Sequence, residues 1–121
     1  MLLYPDVVLP CMPEVPRDEI GRRVFQLKQQ RSVEQAIAII RTTLGEKWMS
    51  VTEEDLSALR LVLEELWIQT DRTKWKNYSF SRLTFNDVQL MIRIGHSRMR
   101  DMMSKKEALQ QINQILGSTA T

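Results

Sequence analysis

Every proline of the chain, at positions 5, 10, 13 and 16, falls within the first sixteen residues. Each fixes its own φ and pushes the residue before it toward extended backbone, so residues 1–17 read as an extended, Pro-rich N-terminal arm. Leu2, Leu3, Tyr4, Val7, Val8 and Leu9 make that arm too apolar for a solvated tail. Two destinations suit it: the surface of its own domain, or a partner or second subunit reached by strand addition or arm exchange.

From Asp18 onward the apolar residues recur at helical spacing. Ile20, Val24 and Leu27 share one stripe while Arg22, Arg23 and Lys28 lie off it, which predicts a helix over 18–30. Ser32 with Gln35 has the spacing of a capping box. It opens a second segment over 33–44 on the stripe Val33, Ala36, Ile37, Ile40 and Leu44, unless Ser32 sits inside one longer rod. Gly45 is the natural stop, because glycine enters the left-handed conformation without steric cost.

Thr52 followed by Glu53, Glu54 and Asp55 is the clearest local signal. A hydroxyl cap stands before three carboxylates, all favoured at the positive end of a helix dipole. The helix it opens, 53–70, carries Leu56, Leu59, Leu63, Leu66 and Trp67 on a broad apolar face, with Leu61, Val62 and Ile68 widening it. Residues 71–82 lose the helical period and read as a loop or short strand. Thr84 caps a helix over 85–103, Ser104 and Glu107 open another over 105–116, Gly117 ends it, and residues 118–121 fray. The expected fold is all-α: a compact bundle of four to five helices over 18–117, its core centred on the leucines and tryptophan of 53–70.

Chemistry is scarce. The 121 residues, 43% apolar and 26% charged, match one ordinary globular domain and exclude a collagen-like, disulfide-framed or wholly disordered chain. Charged residues interrupt every apolar run before the roughly 20 residues a bilayer crossing needs. Prolines and Asp6 break up any secretory leader, and the single Cys11 has no partner and no activating neighbour. These features set the expectation of an intracellular, cytoplasmic protein away from membranes. One His and one Cys cannot form a zinc cluster within one chain, and no phosphate-cradling glycine loop or nucleophile motif occurs. No metal, cofactor or catalytic residue is expected. Glu53, Glu54 and Asp55 belong to a helix start, Glu64 and Glu65 to a solvated face, and His96 to a solvated turn, with a pH-sensing or phosphate-contacting role as its alternative.

Charge is uneven. Residues 1–71 hold eight basic against twelve acidic side chains, residues 72–121 nine against three. Two binding functions fit that distribution. In the first, a non-enzymatic regulator or adaptor grips an acidic partner protein, or a second copy of itself, through Leu2, Leu3, Tyr4 and Val8 of the arm. Met99, Met102 and Met103 of the Met-rich C-terminal helices supply the rest, methionine being adaptable at such surfaces. In the second, a small nucleic-acid-binding regulator uses Arg72, Lys74, Trp75, Lys76, Arg98, Arg100 and Lys105. Its bases would neutralise phosphates, Trp75 would stack, and a degenerate helix-turn-helix would turn at Gly95 and run to Arg100.

Overall fold

A computed structural model describes residues 14–119, with side chains from 19 to 117. Five α-helices make up most of it: α1 Glu14–Leu44, α2 Glu53–Gln69, α3 Arg72–Asn77, α4 Phe85–Met99 and α5 Lys105–Thr119. Short 3-10 segments cover Gly45–Ser50 and Phe80–Arg82, and among the described residues there is no strand. The fold is all-α. The chain divides into two units, Met1–Gln30 and Arg31–Thr121. In the first, α1 exposes Ile20, Val24 and Leu27, and Glu19 pairs with Arg23 one turn on. The arm residues Leu2, Leu3, Tyr4 and Val8 lie outside the described residues.

The second unit is a bundle centred on α2. Thr52 Oγ1 accepts from the Asp55 N–H (3.0 Å) and Asp55 Oδ2 accepts from the Thr52 N–H (3.3 Å), a reciprocal capping box. Buried residues then recur in pairs one turn apart: Ala58 and Leu59, Val62 and Leu63, Leu66 and Trp67. That double stripe lets α2 touch neighbours on two sides. The same capping box, Thr84 with Asp87, starts α4, which buries Val88, Met91, Ile92, Ile94 and Gly95. Val33, Ala36, Ile37 and Ile40 complete the core from α1, and Ala108, Ile112 and Leu116 from α5. Of the five residues expected at its centre, Leu56 is half-buried and packs on the rim, while the other four are fully buried.

Gly95 fixes how closely α2 and α4 approach. A β-carbon placed on it would run into the Ala58 carbonyl oxygen and lie 2.6 Å from the Ala58 carbonyl carbon and 2.8 Å from Ala58 Cβ. Only a residue without a side chain lets the two backbones come that near. Gly95 is therefore a contact point inside a continuous helix, not the turn of a helix-turn-helix.

Four other boundaries differ from expectation. The segments expected at 18–30 and 33–44 form the single α1, because nothing between Leu27 and Ser32 breaks a helix and the Ser32 cap has no exposed helix start to serve. The stretch 71–82 is helical in two short pieces, with Asp71 Oδ1 accepting from the Lys74 N–H at 2.8 Å to start α3. Helix α4 stops at Met99, short of 103, where Asp101 takes φ 57°, a left-handed value that aspartate tolerates better than most residues. Gly117 does not end α5, which continues to Thr119; Gly45, with φ 58°, does terminate α1.

Candidate functional site

Two clefts on the second unit collect the side chains able to bind something. The larger, about 660 Å³, runs beside α5 and the end of α2. Lys74 from α3 and Lys105 and Lys106 from the first turn of α5 line it, with Leu109 as apolar floor and Gln69, Gln110 and Asn113 as polar walls. No carboxylate is among the described residues that line it. Ser104 Oγ caps α5 by accepting from the Glu107 N–H at 3.1 Å, so the two lysines stand at a helix start whose partial charge is also positive. The wall is braced from behind: the Tyr78 hydroxyl donates to Asn113 Oδ1 at 2.9 Å.

The smaller cleft, about 400 Å³, opens between the start of α2 and one face of α4. His96 Nε2 donates to Asp55 Oδ1 at 2.9 Å across it. The residue expected in a solvated turn thus sits on α4, half-buried and bonded to a carboxylate forty-one positions earlier. That hydrogen bond, aided by the Thr52 cap, holds the Asp55 carboxyl below the usual carboxylate range, with partial burial opposing it. Asp55 therefore contributes stability that is present above its unfolded value of about 3.8 and is lost as pH falls through the lower folded value. Asp55→Asn, which keeps a capping oxygen, is expected to lower the melting temperature at pH 6. The gap to the parent should close as pH falls below the unfolded value of about 3.8, as followed by circular dichroism.

A second long-range pair removes a candidate. Arg98 Nε donates to Glu65 Oε1 at 3.0 Å, Nη2 to Glu65 Oε2 at 2.7 Å, and Nη1 to the Met103 carbonyl at 2.9 Å. The two side chains are 18% and 14% exposed. Glu65 is thus not on a solvated face, and Arg98 has no donor pair directed at a groove. The guanidinium is held still more firmly protonated by the Glu65 carboxylate.

The remaining sequence candidates are dispersed. Lys74 and Lys105 meet in the larger cleft and Arg100 lines the smaller one. Trp75 and Lys76 line a third, smaller cleft against Ser32 and Ile39 of α1. Trp75 is half-buried in a ring cluster, 5.2 Å from Phe80 and 6.2 Å from Tyr78 between centroids. The Arg72 guanidinium lies 3.8 Å from the Trp67 ring centroid. Met99 and Met102 are 50% and 75% exposed, whereas Met103 is half-buried and packs on the core. Lys106, Arg93 and the His96–Asp55 pair were not singled out by the sequence; the i, i+3, i+7 spacing of 93, 96 and 100 was the available signal.

Among the described residues no group of three metal-ligating side chains occurs, and no helix is long and apolar enough to cross a membrane. Comparison with protein-family models, curated proteins and solved structures finds no match.

Proposed function

We propose that the chain is a non-enzymatic binding module, an intracellular regulator or adaptor, that takes an acidic amphipathic segment of a partner protein along the lysine-lined groove of α5. The observation that carries this reading is the convergence of Lys74, Lys105 and Lys106 around an apolar floor, Leu109, with no carboxylate among the described lining residues to neutralise them. Acidic side chains on the incoming segment would meet the lysines while its apolar face covers Leu109. Exposed Met102, in the connection leading into α5, extends the apolar contact. The arm residues Leu2, Leu3, Tyr4 and Val8 are assigned the second part of the contact on their sequence alone. A protein is favoured over a nucleic acid because Trp75 is packed against Phe80 and Tyr78 and Arg98 is spent on Glu65, leaving neither for a base.

The test is fluorescence anisotropy with a labelled helical peptide of Glu and Leu at four-residue spacing, beside labelled duplex DNA and single-stranded RNA, at roughly 50 mM salt where ionic attraction is strong. The peptide should bind, and Lys105→Glu with Lys106→Glu should weaken it about tenfold or more, whereas Lys76→Glu should not. Nucleic-acid binding without peptide binding, or no binding of any probe, would overturn the reading.

A further inference from the structure

We propose that the smaller cleft, between the start of α2 and α4, is a binding site for a small phosphate monoester with a flat apolar body. The site is distinct from the lysine groove and does not depend on what that groove binds. Arg93 and His96 of α4 and Arg100 at its C-terminal cap recur at spacings of three and four and all line the cleft. The two arginines are thus two turns apart, about 10 Å of helix rise, with the imidazole between them.

Charge at the cleft is cationic. Asp55, the one carboxylate among its described lining residues, is already engaged by His96. Glu53 belongs to the same helix start but acts on Arg60, which pairs with Glu34 at 2.7 Å outside the cleft. Arg93 and Arg100 are both exposed, with guanidinium forks that suit phosphate oxygens. Donors arriving from two separated arginines surround a tetrahedral anion, whereas a planar carboxylate is satisfied by one fork. Val51, Phe85 and Ile92 add apolar lining to the same cleft. A volume of about 400 Å³ lies within the range of small-molecule sites.

Phenyl phosphate is the probe, with inorganic phosphate and benzoate as comparisons, read by calorimetry and by amide shifts of residues 85–100. Phenyl phosphate should bind with a dissociation constant on the order of 100 μM, about tenfold tighter than either comparison. Arg93→Gln with Arg100→Gln should weaken it about thirtyfold with the melting temperature unchanged, since neither arginine is buried; Lys76→Gln should leave binding intact. Absence of binding at about 10 mM phenyl phosphate would overturn the proposal, as would equal affinity in the double variant or equal affinity for benzoate.

Discussion

Gly95→Ala should unfold at a melting temperature roughly 10 °C below the parent, although alanine is the better helix former by about 1 kcal/mol. The sign is decided by what the new methyl group meets. Its neighbours are the Ala58 carbonyl oxygen and carbon and the Ala58 β-carbon, on a residue with no exposed surface. A flexible side chain could swing aside, but a helix backbone cannot, so α2 and α4 must separate along their buried faces. Overpacking of this kind costs about 1–3 kcal/mol and more where backbone must move. The upper part of that range outweighs the propensity gain and leaves a net loss of about 2 kcal/mol. Ala58→Gly should not rescue it, because the nearest obstacle is the carbonyl oxygen, which glycine retains. Gly21 provides the control: it lies in α1 with nothing within 4 Å of an added β-carbon, so Gly21→Ala should be neutral or stabilising. Thermal melts followed at 222 nm separate the cases, and a Gly95→Ala melt matching the parent would show that the helices are less close than described.

Arg98→Met should lower unfolding free energy by about 2–3 kcal/mol, measured by urea denaturation. The substitution removes both bonds to Glu65 and the bond to the Met103 carbonyl, leaving a carboxylate with 14% of its surface in water and no counterion. Loss of one partner of a fully buried pair costs about 3–5 kcal/mol, and the residual exposure here places the effect below that range. Arg98→Glu should be worse, since it sets two carboxylates face to face. The double change Arg98→Met with Glu65→Met should recover much of the loss, because an apolar pair of similar size has no desolvation to overcome. The charge-reversal that would ordinarily test Arg98 as a nucleic-acid contact is therefore a stability variant first. Lost DNA binding in Arg98→Glu would carry no information about an interface unless folding were checked alongside it.

These two effects mark where reading the sequence stops. Helix starts at Thr52 and Thr84 were legible because a cap acts within four residues and the chemistry is all local. The stripes of α2 and of residues 33–40 were legible because burial imposes a period. The Ser32–Gln35 signature failed for the complementary reason: a capping box stabilises a helix end where one exists and cannot make one inside a run of good helix formers. Asp101 as a helix terminator was hidden, since aspartate enters left-handed backbone only when the surrounding chain demands it.

The candidate sites were less legible still. His96 with Asp55 and Arg98 with Glu65 join positions forty-one and thirty-three residues apart, and no local period carries that information. The glutamates at 64 and 65 show the difficulty most sharply. Adjacent in sequence, they face different surroundings: Glu65 is committed to Arg98, while burial pushes the Glu64 carboxyl up. Lys105 was singled out and Lys106 was not, yet the path of α5 brings both into one groove with Lys74.

The backbone contact at Gly95 also limits how the molecule can move. Two rods pressed together at a notch cannot glide along each other without first lifting apart, so their cheapest relative motion is to rock about that notch. Phe85 at the start of α4 and Arg100 at its C-terminal cap lie on opposite sides of Gly95, and a seesaw about this fulcrum would widen the crevice at one end as it narrowed the other.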